Sequence, residues 1–571
     1  MSVALRFKQA VARHVSKSLA LEESQLVPLL RVPKKLQDGH YSLSLARLSN
    51  VLDRSSLDRG PDDISKEIAQ KFQPDSLVSH VSSKGPNLQF YLQQTEFVKQ
   101  VLEQVYNDAH KYGWSHVKAD ERQPTVIIDY SSPNIAKPFH AGHLRSTILG
   151  NFVKRIHQVM GYRVVGINYL GDWGKQYGML AIGFERYGNL EKLKDDPIHH
   201  LYEVYVKINQ DAKQDPMIST LAAQYFAKME QGDKNALDQW KTFRDLSIAS
   251  YAAIYERLGV NFEVYSGESQ VESYIPKVHQ LLQDKNLVEY AEDGSQSIDL
   301  SAYNLGSAVV RRSDGTSLYL TRDLASLLMR KSEYNFDKAI YVVGVEQEQY
   351  FKQVFKAAEL MMGETGQLQH VSFGRINGMS TRQGTAVFLQ DILDMAKSKI
   401  LDYMQNVKQT FHDDETADQL GVSAILVQDM KSKRNKNYSF AWDRMTDARG
   451  DTGVFLQYAH ARACGIERKA ETPVSVDCNY ALLHEPEAIH LVQMISDFPE
   501  LVDDSFETLE PCTIVNYLFK LSHATSAASK ALRVKDSEQE LAKARMLLFW
   551  AARTTLFNGM SLIGLKPLQR M

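Results

Sequence analysis

Cysteine is scarce in this chain. Cys464, Cys478 and Cys512 are the only three in 571 residues, and none stands at CxxC spacing from another. That speaks against a disulfide framework and a structural zinc site, and it fits a reducing compartment. Long apolar runs are missing too. The richest stretch, Leu547 to Leu565, is broken by Arg553 and Asn558, so no membrane span and no membrane partner is expected. Neither sign of charge dominates: 66 Lys and Arg face 69 Asp and Glu, a formal net charge of −3. Without a global basic field, a nucleic-acid partner has to be met by local basic surface. Internal repeats and low-complexity segments are absent as well.

Acidic residues are lacking at the start, where none precedes Glu22. Arg6, Arg13 and Lys17 fall roughly opposite Val3, Phe7, Val11, Val15 and Leu19 at helical spacing. Such a segment suits either a mitochondrial targeting helix or the first amphipathic helix of a folded domain. The pattern continues into "LEESQLVPLL" without a small-residue break, which favours the second reading.

What is present is ordinary globular composition, 44% hydrophobic and 24% charged, in a chain too long for one core. "YSLSLARL" and "NLQFYLQ" read as strands near the N-terminus. "TVIIDY", ending at Tyr130, reads as a buried strand after a proline-marked boundary. Leu144, Ile148, Phe152 and Ile156 then form an i, i+4 series that Gly161 closes in a C-cap position, and "RVVGINYL" follows as another strand. Strand, helix, strand is a βαβ unit, which implies a parallel, doubly wound sheet. Residues from about 186 to 260 are polar and helical in period. Strand character returns at "AIYVVGV", and beyond about 400 the pattern is almost wholly helical. The expected organisation is a multidomain α/β chain. An α+β domain spans 1–118, and a Rossmann-type catalytic domain with the helical insertion spans 119–400. An all-α domain spans 401–571.

His140 and His143 stand at the mouth of the first helix of that βαβ unit, after the loop Ser131–Phe139. Helix N-termini at the carboxyl ends of parallel strands favour phosphate, and an i, i+3 histidine pair can face one side of the first turn. Both imidazoles can donate hydrogen bonds to phosphate oxygens, and Gly142 leaves room for a nucleotide. By itself an HxxH is more often a capped helix start or a metal fragment. The metal reading is weak because no third ligand follows at zincin spacing.

The surrounding residues narrow the choice. "SSPNIAKPFHAGHLRST" resembles the HIGH signature of class I aminoacyl-tRNA synthetases in the extended form of the arginyl-tRNA synthetase family. "INYLGDWGKQYG" (167–178), "YSGES" (265–269), "SDGTSLYLTRD" (313–323), "NGMSTRQG" (377–384) and "GDTGVFLQYAHAR" (450–462) resemble segments of the same family in the same order. The likeness is strongest to eukaryotic members, extends through Met571 and is weaker before residue 115.

The resemblance implies ATP-dependent activation of L-arginine and its transfer to the terminal adenosine of tRNA(Arg). It also implies Mg2+ carried by the ATP and a monomer, the usual state of the family. The place of work would be the cytoplasm or the mitochondrial matrix. His140, His143 and Lys137 would act on the ATP phosphates, with Gly142, Met379, Ser380 and Arg382 also at the nucleotide. The usual KMSKS motif survives only in part as "GMSTR", with Gly378 and Thr381 where lysines are common. Arginine binding would fall to Asn134, Glu268, Tyr319, Asp323 and Gln347. Glu268 and Asp323 would read the positive charge, because a guanidinium is the natural bidentate partner of a carboxylate. Asp323 also suits a helix N-cap before "LASLLMRK". Gln89 would meet the tRNA elbow. Tyr458 would stack an anticodon base or else sit in the core, and Met571 would be a further tRNA contact. The basic run "KSKRNK" (431–436) suits a solvated face or a phosphate track.

Two other classes stay open on residues alone. One is a different HIGH-motif enzyme, either another class I synthetase or a small nucleotidyltransferase. The large helical C-terminal region disfavours the small enzyme, and the two carboxylates disfavour synthetases for apolar amino acids. The other is a synthetase-like RNA-binding protein without catalysis, against which the intact histidines and "GDWG" argue.

Overall fold

The structure, a computed structural model, describes residues 1–19, 21–33, 36–50, 60–117, 122–135, 139, 141–313, 318–377, 388–406, 413–439 and 450–571. The helix Val3–Leu19 buries Phe7, Ala10, Val11 and Val15, and Phe7 meets Phe97 edge to face with ring centroids 5.2 Å apart. Its apolar stripe is therefore part of a domain core. That core also backs an antiparallel sheet of β1 (Tyr41–Ser44), β2 (Val78–Lys84) and β3 (Asn87–Leu92), with β3 in the middle. Leu88, Phe90 and Leu92 point inward from β3 while Asn87, Gln89 and Tyr91 face outward, the period of two that marked it as a strand. The expected strand "YSLSLARL" is half correct. It breaks at Leu45 into a 3-10 turn, Leu45–Asn50, because Leu45 and Leu48 are both buried and a three-residue turn puts both on one side.

The central sheet begins with β4 (Thr125–Asp129), all five residues of which are buried, and β5 (Arg163–Leu170). Next come β6 (Val264–Gly267) and a small antiparallel sheet of β7 (Glu289–Tyr290), β8 (Gln296–Asp299) and β9 (Ser307–Arg311). Finally β10 (Lys338–Gly344) and β11 (Gln367–Phe373) complete the central sheet in the order β6-β5-β4-β10-β11, all parallel. Chain order reverses direction at β4, so a crevice opens beyond the carboxyl ends of β4 and β10.

The helix Ala141–Val159 runs from that crevice with Leu144, Ile148, Phe152 and Ile156 all buried. It ends in a Schellman motif: Gly161 (φ +83°) donates to Gln158 O at 3.2 Å and Tyr162 to His157 O at 3.0 Å. At Gly150 a Cβ would lie 2.2 Å from Tyr130 Cγ, so the helix packs on the end of β4 at a distance only glycine permits.

Between β5 and β6 the chain forms the helices Lys175–Tyr187, Leu190–Asp195, Pro197–Gln214, Pro216–Glu230 and Lys234–Arg257. The side chains of Asn189, Asp196, Asp215 and Asp233 cap the last four of them. Beyond β11 the described residues are helical from Leu389–Asn406 through Gln539–Leu562. The exceptions are two short strands, Ile376–Asn377 and Tyr438–Ser439, which pair in parallel.

One buried cation docks this helical region onto the sheet. Arg145, fully enclosed, donates from Nη1 to Gly374 O (2.6 Å) and Lys436 O (2.8 Å) and pairs with Asp429 at 3.3 Å. Its guanidinium also lies 5.1 Å from the Tyr438 ring centroid. Burial pushes the Asp429 carboxyl up to about 6 in spite of Arg145 beside it. Arg145→Met should therefore destabilise by ~3–5 kcal/mol, since a buried carboxylate loses its cation. Adding Asp429→Leu should recover part of that loss, because apolar groups of similar volume replace buried pairs at little cost. Denaturant melts of the single and double variants test this; a double variant no more stable than Arg145→Met would refute it.

Candidate active site

The turn leaving β4 is strained. Ser131 and Ser132 have φ of +71° and +47°, a region that non-glycine residues enter at a cost of ~1–3 kcal/mol each. A hydroxyl network holds them there. Ser131 N donates to Ser146 Oγ (2.9 Å), and Ser131 Oγ lies 2.7 Å from Thr147 Oγ1 and 2.6 Å from Tyr255 OH. Ser132 Oγ donates to Asp129 Oδ1 (2.7 Å) and accepts from Tyr169 N (3.2 Å). Ser146 and Thr147 come from "HLRST", one turn past His143, so the signature helix shapes the loop that precedes it.

Gly142 and His143 occupy the first turn of the helix Ala141–Val159, both half-buried. The Phe139 and His143 rings lie 5.3 Å apart, and Thr147 Oγ1 donates to His143 O at 2.7 Å. This places one imidazole of the expected pair at a helix N-terminus that opens on the crevice, where amide groups and the macrodipole favour an anion. His140, Lys137, Met379, Ser380 and Arg382 lie outside the described residues.

The residues expected to bind the amino acid lie on four segments. Asn134 bridges to Gly171, and its Nδ2 donates to Gln176 Oε1 (3.2 Å). Glu268 follows directly on β6. A Cβ at Gly267 would stand 2.3 Å from the Asp172 carboxylate, so the chain passes that acid as bare backbone. Asp172, fully buried, accepts from Ser269 N (2.9 Å), Ser269 Oγ (2.9 Å) and Arg244 Nε (2.8 Å), which fixes the turn that carries Glu268. Arg322 Nη1 lies 3.6 Å from Glu268 Oε2. Tyr319 opens the helix Tyr319–Tyr334 and is 74% exposed, and Asp323 lies one turn on. Gln347, exposed, sits at the N-cap of the helix Glu348–Met362 just past the carboxyl end of β10.

Asp323 does not cap its helix; Leu318 holds that place. Burial of Leu320, Leu324 and Leu327 starts the helix one turn earlier than the cap reading required. The carboxylate is left facing the crevice, where it accepts a hydrogen bond from Tyr350 OH. Desolvation pushes its pKa up to about 6, opposed by Tyr350 and Arg330 and assisted by Asp129. Arg330 is no partner for it, being paired with Asp129 (2.7 Å) and donating to Tyr341 OH (3.2 Å). Among the described residues Asp323 forms no ion pair. Nearby, burial and the charge of Asp323 push the Tyr169 hydroxyl well up, so it stays protonated. Among the described residues that buried hydroxyl has no hydrogen-bond partner. A desolvated carboxylate without a cation and a phenol without a partner describe a pocket suited to a polar cation.

Sequence reasoning singled out neither Asp172 nor Tyr350. Asp172 had a signal, an acid inside "GDWG"; Tyr350 had none, since its partner lies 27 residues away on another helix.

Away from the crevice, Gln89 is half-buried on β3, accepting from Ser82 Oγ (3.2 Å) and facing Asp38 (3.5 Å), with Lys84 3.2 Å from the same carboxylate. Tyr458 is not a core residue: it is 41% exposed. With Arg462, Arg468, Arg533 and Met571 it lines a groove of about 740 Å³. Gln457 brackets the tail beside it, donating to Lys566 O (2.9 Å) and accepting from Leu568 N (2.8 Å). The run "KSKRNK" is not uniformly solvated. Arg434 donates to Ser372 O (2.6 Å) and its backbone N donates to Glu510 (3.0 Å), so it braces β11 against the helical region.

Comparison with known proteins agrees along the whole chain. Residues 102–442 match the family described as tRNA synthetases class I (R), catalytic domain, and residues 456–571 match the DALR anticodon binding domain. The chain is 41% identical over 595 residues to a Dictyostelium discoideum protein named "Probable arginine--tRNA ligase, cytoplasmic", covering 99% of this chain and 100% of that one. It is 41% identical over 580 residues to the Saccharomyces cerevisiae "Arginine--tRNA ligase, cytoplasmic" (98% and 94% covered). A Mus musculus protein named "Probable arginine--tRNA ligase, mitochondrial" is 40% identical over 580 residues, with both chains fully covered. The fold matches the arginyl-tRNA synthetase of Plasmodium falciparum with a TM-score of 0.79 at 22% identity, covering 100% and 99% of the two chains. The Thermus thermophilus arginyl-tRNA synthetase gives 0.79 at 21%, covering 99% and 100%. With a doubly wound sheet, a histidine-bearing helix mouth and these matches, the chain belongs to the arginyl-tRNA synthetase family of class I tRNA synthetases.

Proposed function

We propose that this chain ligates L-arginine to tRNA(Arg). The arginine carboxylate attacks the α-phosphorus of ATP, pyrophosphate leaves, and arginyl-adenylate forms. The ribose 2′-hydroxyl of the terminal adenosine of the tRNA then attacks the activated carbonyl, and AMP leaves. Beyond family membership, the reading is carried by Asp323, a desolvated carboxylate in the crevice without a cation among the described residues. A guanidinium supplies that cation in the planar, bidentate form a carboxylate binds best. In this reading His143 and His140 donate to the phosphates as charge builds on them, with Lys137 adding a point charge. Gly142, Met379, Ser380 and Arg382 complete the nucleotide site, and Mg2+ enters with the phosphates. Asn134 and Gln347 hold the ammonium and carboxylate of the amino acid. Tyr319 packs along its side chain, with Glu268 facing the same pocket. Gln89 meets the tRNA elbow, and Tyr458 and Met571 meet the anticodon loop, where an exposed tyrosine ring can stack an unpaired base.

The direct test is exchange of labelled pyrophosphate into ATP, with tRNA supplied, followed by charging of tRNA(Arg). Arginine should be required for both. Exchange that ignores arginine, or is stimulated equally by another amino acid, would refute the assignment.

His143→Ala should lower the rate of activation by ~10²–10³, the loss typical of one preorganised donor, without changing the melting temperature. An unimpaired rate in the folded variant would remove His143 from catalysis.

Selectivity should rest on charge. Citrulline has arginine's shape without its charge and should be disfavoured by ~10⁴, since buried polar groups would be left poorly paired. The pH dependence has a definite sign. The folded pKa of Asp323 is raised to about 6, so its contribution to folding is fully present at low pH and lost as pH rises through 6. Arginine needs the opposite, ionised form. Its affinity should be flat above pH 7 and fall about tenfold per pH unit well below 6. Asp323→Asn should abolish that slope and raise the arginine KM while leaving the ATP KM in place. Calorimetric arginine titrations across pH measure both effects.

A further inference from the structure

Asp323 and Tyr350 come from different elements. Asp323 lies on the helix Tyr319–Tyr334, and Tyr350 is the third residue of the helix Glu348–Met362 that follows β10. The Tyr350 hydroxyl donates to Asp323 Oδ2. Its own pKa is raised by burial and by the Asp323 charge, so it remains a donor whenever the carboxylate is ionised. The first turn of its helix is fixed by aromatic packing: the Phe351 ring lies 5.1 Å from Tyr341, 5.6 Å from Phe355 and 5.1 Å from His370. The direction of the Tyr350 side chain is thus set by a rigid neighbourhood.

Among the described residues no other titratable group near Asp323 donates a hydrogen bond to it. Arg330 is paired with Asp129 and bonded to Tyr341. The Tyr169 hydroxyl, held protonated by burial and by the charges of Asp323 and Glu268, makes no hydrogen bond among the described residues, and Glu268 itself is beside Arg322. That leaves Tyr350 to decide how the carboxylate is turned. A carboxylate held at one oxygen presents a fixed plane, which a planar guanidinium fork requires and a spherical ammonium does not.

We propose that Tyr350 is a specificity-determining positioning residue, which locks the plane of the Asp323 carboxylate so that it reads a guanidinium in preference to an ammonium. This rests on the reading of Asp323 as the guanidinium partner. Tyr350→Phe removes one oxygen and keeps the ring, so it leaves the aromatic packing in place. Its arginine KM should rise about tenfold, in line with losing a hydrogen bond to a charged group. The ATP KM should not move, and kcat at saturating arginine should stay within about twofold, since the effect lies in binding. The pH midpoint of arginine binding should shift upward, because the lost donor favoured the ionised form. The preference for arginine over lysine, read by direct binding of each amino acid, should narrow.

Asp323→Asn run beside it separates the two claims. If Asp323→Asn weakens arginine but Tyr350→Phe leaves the arginine KM or the pH midpoint at the parental value, Tyr350 is not a positioning residue and the Asp323 reading stands. If Asp323→Asn binds arginine as the parent does, the Asp323 reading fails and the role of Tyr350 fails with it. A Tyr350→Phe protein that melts early, with arginine and ATP KM raised together, would also overturn the proposal.

Discussion

The ion pair between Asp129 and Arg330 sets the electrostatics of the crevice. Asp129 ends β4, the strand at which the sheet reverses direction, and Arg330 reaches it at 2.7 Å from the helix that also carries Asp323. The pair does two things at once. It ties that helix to the carboxyl edge of the sheet, with the guanidinium lying over Tyr169 and Tyr341 at 5.2 and 5.6 Å from their ring centroids. It also keeps Arg330 occupied. Were Asp129 neutral, the nearest buried cation would be left to pair with Asp323, and the pocket would neutralise itself. Ser132, bonded to the other oxygen of Asp129, passes the same constraint to the strained turn ahead of His143.

That turn leads into a helix whose contacts reach most of the molecule. Ser146 Oγ donates to Val342 O of β10 at 2.7 Å, and Arg145 reaches Asp429. Arg155 donates to Gly259 O (3.0 Å), just past the inserted helices, and to Ser561 O (3.2 Å), in the last helix. From different faces, the helix Ala141–Val159 therefore meets the sheet, the end of the insertion and the C-terminal region. A shift in any of these is felt at the end of the helix that holds His143, because packed interiors transmit strain.

How much of this the sequence disclosed depended on whether the cause was local. "TVIID" and "AIYVVG" are strands buried on both faces and read as apolar runs. The end at Gly161 was legible because a left-handed residue there is a backbone requirement written in one letter. The sheet β7–β9 went unseen because its strands are short and half-exposed: Glu289 and Tyr290 both face solvent, and in β9 only Ala308 and Val310 are buried. The "YSGES" and "YLTRD" segments placed Glu268 and Asp323 in one pocket by resemblance, not by spacing. What resemblance did not supply was their surroundings. Asp172 beneath Gly267, Tyr350 on Asp323 and Arg434 against Ser372 and Glu510 are contacts between distant elements, and such contacts leave no period in the sequence.

Those surroundings give the pocket a simple charge balance. Asp129 cancels Arg330, and Glu268 stands against Arg322 at 3.6 Å, so among these groups Asp323 alone carries an uncompensated charge. In the proposed reading that single negative charge meets the single positive charge of the guanidinium. The rest of the amino acid, an ammonium and a carboxylate, is neutral as a whole. A charged side chain placed against either end would favour one of those charges and leave the other to be desolvated uncompensated. Amides avoid this, since each offers a donor and an acceptor on one group. The residues expected at that end, Asn134 and Gln347, are both amides. Asn134 is held by Gln176, a third amide, so the zwitterion would be met by dipoles while the one full charge is kept for the guanidinium.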